Sequence, residues 1–496
     1  MLLRTLTVAA LLVTLLSMGA AAQNASSVVA ASSKAMGVDN LTSITFTGTA
    51  TNGAFGQSKA LGNPLGTVNA TRITQYTRTI NFGPAANPMA LVSRATGPTQ
   101  PAPTADVPAP PAGVFNQNIT GAQLGANWAQ ALNVWTTPWG FLKGAAANNA
   151  TVRQQGGNQL VSFSPANLKS PSGQPYTVTG TINNQNLVTK VETRVENTVV
   201  GDLLVEFEYS NYSNQNGVQV PGRIVQKQAG LETFNANITA ATANPANLTE
   251  LLTPPPPPAG APGGGGGGGG AQQPPAAVTA EKLGEGVFKI PGNYTSMAID
   301  MGDHILVVES GQSEARGVAV MAAAKQAIPG KPIRFVVTSH GHFDHASGLP
   351  AAVAEGATIL THNNNEDALE KFLSGPRTLT GDSLSKVSNR RTNVVSGVGT
   401  RDVRRGSNGK VVELHHVPNE HTDGLLAVYL PAEKILWTGD VTVVNPTPAQ
   451  VGVVKSAVQV FTKLNLDFTT WIPAHPPNPD RPITRAEVMK VGTGTN

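Results

Sequence analysis

Thr338-Ser-His-Gly-His-Phe-Asp-His-Ala-Ser-Gly-Leu349 decides how this chain is read. Within it, His340, His342, Asp344 and His345 put four metal-competent side chains into six consecutive positions. The apolar run Ile333-Arg-Phe-Val-Val337 immediately before them reads as a buried strand, so the cluster falls at a strand's carboxyl end. Imidazole nitrogens suit zinc, and a carboxylate between two histidines can serve a second ion nearby. An isolated His-x-His pair is common and means little. His-x-His-x-Asp-His after a strand and before a small-residue helix start is far more specific.

The composition of the chain sharpens this. All nine histidines lie from His304 onward, and the 496 residues include no cysteine. Disulfide scaffolds, thiolate metal sites, cysteine nucleophiles and iron–sulfur clusters are thereby excluded. A net charge of +4 over this length, with only 13% charged residues, is too dilute for a nucleic-acid surface. The 52 glycines and 37 prolines, against 5% aromatics, favour strands and loops over helical bundles.

Three segments precede the histidine-rich part. Arg4, the apolar run Leu6 to Leu16 and Ala20-Ala21-Ala22 read as a signal peptide over residues 1–22. Export to the periplasm or the extracellular space is the expectation. The run is too short for the roughly 20 residues of a membrane span, and no later segment reaches that length. Residues 23–252 are rich in Thr, Asn, Val, Gln and Gly and alternate with period two, as in Ile73-Thr-Gln-Tyr-Thr-Arg-Thr-Ile80. They predict an antiparallel β-rich domain, with turns at Asn183-Asn184 and Pro221-Gly222 and a long loop from Gly97 to Gly113. Residues 253–277, with Pro254–Pro258, Gly263–Gly270 and Pro274-Pro275, form a linker that predicts a tether between independent units. Residues 278–496 then alternate strands with helices.

The strand rhythm of Thr179 to Gly230 resembles the half-barrel of periplasmic lipoprotein carriers. That resemblance implies a sheet able to take a lipid or protein ligand; the bland reading is a scaffold without chemistry.

For residues 278–496 the resemblance is to the metallo-β-lactamase fold metallohydrolases, whose signature loop matches Ser339-His-Gly-His-Phe-Asp-His-Ala-Ser-Gly348. Three further motifs follow in the expected order: Asn419-Glu-His421-Thr-Asp-Gly424 after the strand Val411–Val417, Thr438-Gly-Asp440 after a hairpin, and Thr470-Trp-Ile-Pro-Ala-His475. The resemblance implies an α/β fold, a four-layer αβ/βα sandwich with the ligands on loops at one edge, here preceded by the half-barrel-like domain. It implies that His340, His342 and His421 hold one metal ion and Asp344, His345 and His475 the second, with Asp440 bridging. The implied cofactors are two Zn2+, with iron or manganese as alternatives. Asp344 is the implied catalytic residue, orienting a dinuclear-metal-bound hydroxide and passing its proton to the leaving atom.

The function expected is an exported hydrolase that cleaves an ester, thioester, lactone or amide in a small-molecule substrate. Its alternatives are a β-lactamase proper, an iron-dependent oxidoreductase, and a carrier or binding protein whose metal domain is structural. Asn419-Glu420 replaces the family's usual Pro-Gly and predicts a looser loop. His304 is expected at the surface, His362 at the rim of the site, and His415 and His416 on opposite faces of one strand. Asp423 either fixes a turn or touches metal. Arg377, Arg390, Arg391, Arg401, Arg404 and Arg405 mark a loop over Asn363–Ser407 that is either merely solvated or faces an anionic substrate. The Pro-rich residues after His475 predict no further helical lid.

Overall fold

In a computed structural model, residues 25–66, 70–83, 92–101, 113–119, 132, 134–166, 168–254 and 278–494 are described. The expected signal peptide, 1–22, and, from residue 255, the expected linker lie outside them. None of the helices among the described residues is long and apolar enough to cross a membrane.

The alternating N-terminal runs form one eleven-stranded antiparallel sheet. Ser43–Asn52 sits inside it, between Thr71–Asn81 and Leu231–Ala243. The order continues through Val92–Pro101 to Gly113–Ile119 on one side and back from Val218–Gln228 to Thr151–Gln155 on the other. Period two explains the pairing: Ile44 and Phe46, or Val178 and Ile182, bury one face. Two helices cover that face, at residues 25–36 and Pro138–Ala147. Trp139 packs on Phe46 with ring centroids 5.8 Å apart, and Phe141 on Phe163 at the same distance. Each such large side chain, removed from water, contributes on the order of 2 kcal/mol.

Two turn expectations are corrected. Pro221-Gly222 lies within the strand Val218–Gln228, and the reversal comes earlier, at Asn216-Gly217. Both residues there take positive φ (52° and 88°), the backbone a tight hairpin needs and Asn-Gly supplies most easily. Pro221 is tolerated because pairing with Leu231–Ala243 begins only at Arg223. The expected loop at Gly97 is strand as far as Pro101.

The C-terminal part has a seven-stranded and a six-stranded mixed sheet. Strand Ile305–Val308 shows how they pack. Leu306 and Val308 join Leu414, Val428 and Trp437 in a core between the sheets, while Ile305 and Val307 face the helices outside. Helix Glu314–Ala327 begins at Ser313, whose side chain accepts from the Arg316 amide. On the other sheet's outer face, helix Pro448–Lys463 packs through Val454, Ala457 and Phe461 against Trp471. A nine-residue helix, Arg485–Thr493, follows His475 after all, started by a Thr484–Glu487 capping box that the prolines before it do not disturb.

The expected tether joins units that are in fact packed together. Phe55 of the N-terminal sheet's first loop meets Phe343 and Phe372 edge-on, at 5.3 and 6.0 Å. Farther along, Asp202 accepts hydrogen bonds from the Thr378 and Leu379 amides. Arg377, expected in a solvated loop, is buried. It donates to Asp382 at 2.7 Å and to the Val199 carbonyl at 3.0 Å, and also to the Thr198 carbonyl. Gly201, at φ +86°, admits this contact because a Cβ there would stand 2.3 Å from the Pro376 carbonyl oxygen.

Truncating Arg377 strands a buried carboxylate and two carbonyls. Arg377→Ala is therefore expected to cost about 3 kcal/mol or more, read as a lower urea midpoint. Arg377→Lys, which keeps the charge but not the fork, should fall between.

Candidate metal centre

Strand Ile333–Val337 runs parallel between Ile305–Val308 and Thr358–His362. Chain direction therefore brings its end to the sheet edge, where His340 and His342 leave on a loop and Asp344 and His345 start a short helix, Phe343–Ala346. The other sheet supplies the rest at the ends of its own strands: His421 after Val411–His416, Asp440 after Ile435–Thr438 and His475 after Thr470–Pro473. The Ser339 carbonyl, accepting from the Leu426 amide at 2.7 Å, ties the two edges together.

All seven sequence-predicted residues come together. His340, His342 and His421 form one group, and Asp344, His345, Asp440 and His475 a second, each with one donor atom per residue inside 4.8 Å of the others. Asp440 stands between them. Its Oδ2 lies 3.0 Å from His421 Nε2, and its Oδ1 lies 2.8 Å from His345 Nε2 and 3.0 Å from His475 Nε2. The loop at Asn419 is not loose: its side-chain oxygen accepts from the amides of His421 and Thr422, an Asx turn in place of Pro-Gly.

The donor set fits cations. His340 Nε2 and His421 Nε2 face each other at 3.3 Å, a spacing at which only one could carry a hydrogen. His342 Nδ1 is buried with no hydrogen-bond partner, and Asp440 Oδ1 has none in spite of its two close imidazoles. Convergent, unpaired lone pairs are costly unless a positive ion sits among them. Burial, reinforced by His345 and His342, pushes the His340 pKa well below its usual value, and burial with the neighbouring His421 takes His342 to about 4. Both imidazoles are therefore neutral at neutral pH, the form that can offer a lone pair to a cation. Burial opposes charge on His345, but Asp440 and Glu309 outweigh it and hold its pKa well above normal. Burial would raise Asp440, yet the His345 charge keeps it well below the carboxylate range.

Residues beyond the predicted set complete the centre. Glu309, fully buried at φ +65°, accepts from Ser339 Oγ at 2.8 Å and from His345 Nδ1 at 3.0 Å. Ser339 Oγ in turn lies 3.0 Å from His340 Nδ1. This relay takes an Nδ1 hydrogen from each of His340 and His345, so that Nε2 is the atom each ring turns toward the centre. Tyr294 donates to Asp344 Oδ2 at 2.8 Å, and Gln57 to Asp344 Oδ1 at 2.6 Å. A lone acid ending the apolar strand Ile305–Val308 was a signal for Glu309. For Gln57, far away in sequence, no signal existed.

Residues 290–475 match the family model described as the metallo-beta-lactamase superfamily. The C-terminal domain belongs to that superfamily. Among solved structures, this chain is similar to a metallo-beta-lactamase from Pontibacter korlensis (15% identity, TM-score 0.35, covering 44% of this chain and 97% of that one). It is also similar to one from Hirschia baltica (20%, 0.32, 44% and 97%) and to a stereoselective inverting sec-alkylsulfatase from Pseudomonas sp. (15%, 0.31, 43% and 41%). The search of curated proteins found no match.

The superfamily domain's remaining histidines lie outside both groups. His304 is buried, not exposed, its ring 5.5 Å from Phe335. His362 stacks on His416 at 3.8 Å and accepts from the Asn364 amide at the start of helix Asn363–Ser374. His415 pairs with Glu413 at 2.9 Å. Asp423 fixes the turn through its backbone, accepting from Asn364 and His416. Four of the other five arginines of the stretch are likewise engaged: Arg390 and Arg391 with the carbonyls of Gly375 and Gly356, Arg401 with Glu413 and Arg404 with Asp402.

Glu309→Ala removes the group that holds His345 and Ser339. Zn2+ affinity is expected to fall about 10–100-fold, measured by titrating the chelator-stripped protein with Zn2+.

Proposed function

We propose that this chain is an exported, metal-dependent hydrolase of small molecules that holds two divalent ions, zinc foremost, and cleaves an ester, thioester, lactone or amide. The observation that carries the reading is Asp440 presenting one oxygen to each histidine group. The superfamily match over residues 290–475 supports it. The three cores, two outside the sheets and one between, support a four-layer αβ/βα sandwich.

His340, His342 and His421 would hold the first ion, and Asp344, His345 and His475 the second, with Asp440 shared. Bound there, the ions supply a water of lowered pKa and a Lewis acid for the scissile carbonyl. Everything else falls to the protein. Burial would raise the Asp344 pKa, but His345, Gln57 and Tyr294 together lower it, so the carboxylate is ionised at neutral pH. It can therefore accept a proton from the attacking water and return it to the leaving atom. Tyr294, whose pKa burial and the neighbouring Asp344 push up, stays a protonated donor on Asp344 Oδ2. Its ring packs edge-on against that of His475, with 4.5 Å between the centroids.

The sheet face that the sequence offered to a lipid or protein ligand carries its own helices, which disfavours such a ligand there.

The test uses the full chain. The Zn2+-loaded protein is assayed on neutral and anionic esters, thioesters, lactones and β-lactams, and its metal content is measured. Hydrolysis that chelation abolishes and Zn2+ restores is expected, with His342→Ala lowering turnover at least ~100-fold. Stoichiometric redox-active iron with no hydrolysis in any class would overturn the reading in favour of an oxidoreductase. Export predicts a mature protein beginning at Gln23, read by N-terminal sequencing of secreted material.

A further inference from the structure

The loop over residues 53–66, which leaves the N-terminal strand Ser43–Asn52, lies across the metal centre. It touches ligand-bearing segments from both C-terminal sheets. On the first, the Gly56 carbonyl accepts from the Phe343 amide at 2.8 Å, and the Ser58 carbonyl lies 3.1 Å from His342 Nε2. On the second, the Lys59 carbonyl accepts from the Asp423 amide at 2.9 Å, and its ammonium pairs with Glu420 at 2.8 Å, next to His421. The approach is built into the sequence at Gly56. Its φ is +78°, and a Cβ there would stand 2.4 Å from the Phe343 ring.

Two of these contacts act on ligand atoms. A carbonyl oxygen only accepts, so Ser58 requires the His342 hydrogen on Nε2 and leaves the lone pair on Nδ1, the buried atom without a hydrogen-bond partner. Gln57 acts on Asp344. Facing an ionised carboxylate, its side-chain amide must present the NH2 group, which donates to Oδ1 at 2.6 Å while Tyr294 holds Oδ2. With each oxygen held by a different donor, the carboxylate plane cannot rotate, and Oδ2 stays 3.5 Å from His345 Nε2.

We propose that the N-terminal domain completes the metal centre in cis, with Gln57 as a positioning residue for the Asp344 ligand and the Ser58 carbonyl selecting the ligating nitrogen of His342. The proposal rests on reading Asp344, His345, Asp440 and His475 as an ion site, but not on the reaction catalysed there. A loop that served only to glue the domains together would need neither a donor on Asp344 nor an acceptor on His342.

The full chain, stripped by chelation, is titrated with Zn2+ as wild type, Gln57→Ala and Gln57→Met; methionine keeps the bulk and removes the donor. The expected result is two ions per chain in the wild type. In both variants one ion binds as in the wild type and the other about 10–100-fold more weakly, with the melting temperature of the stripped protein unchanged. Wild-type affinity for both ions in Gln57→Met would overturn the proposal, as would equal weakening of both ions together with a lowered melting temperature, the mark of a purely structural role. A wild type that binds fewer than two ions removes the ion site and this proposal with it. A wild type that binds two ions and hydrolyses nothing removes the hydrolase reading alone; selective loss in the Gln57 variants then still supports the positioning role.

Discussion

Asp440 presents its two oxygens to two different groups of imidazoles, His421 on one side and His345 with His475 on the other. Seven electron-pair donors gathered this tightly repel one another and lose hydration, so nothing about their convergence is favourable by itself. The fold has to force it. The forcing elements are the strand ends: parallel and antiparallel strands of two facing sheets stop at one edge, and the core between the sheets holds those edges in register. Without an ion, Asp440 and Glu309 favour a second proton on His345, and His345 in turn favours an ionised Asp440, so a cation entering there has to displace that proton.

Around the seven residues runs a shell of hydrogen bonds that decides which atoms point inward. Glu309 and Ser339 set the hydrogens of His340 and His345, Ser58 sets that of His342, and Gln57 and Tyr294 hold Asp344. Imidazole has two nitrogens and carboxylate two oxygens, so ligand identity alone leaves the centre underdetermined. Outer-shell hydrogen bonds remove that freedom before any ion arrives, and part of the entropic cost of binding is met on folding.

This shell also explains why the two parts of the chain are packed rather than loosely joined. Phe55 packs on Phe343 and Phe372, which also meet each other, and Asp202 and Arg377 lock a second contact. The interface does the positioning. The N-terminal sheet, devoid of histidine, thus acts on the centre through backbone carbonyls and one amide, groups that every protein has and that no motif marks.

The sequence by itself marked the residues that cluster at the centre, because His-x-His-x-Asp-His at a strand end is a local pattern whose chemistry depends on spacing within a few residues. His421, Asp440 and His475 were legible for the same reason, each following its own apolar strand. Strand alternation likewise announced the N-terminal sheet, since period two is written residue by residue. What only the tertiary structure decided are the relations between distant segments: Gln57 and Ser58 against residues nearly three hundred positions later, Arg377 buried between domains, His304 under Phe335. Pro221-Gly222 looked like a turn and became strand because the neighbouring Asn216-Gly217 turned the chain first, a competition settled by pairing register. Local sequence encodes local geometry and the kinds of atoms available. Which of those atoms meet is set by the packing of two sheets and the docking of a third, a sum over contacts that no short stretch of the chain contains.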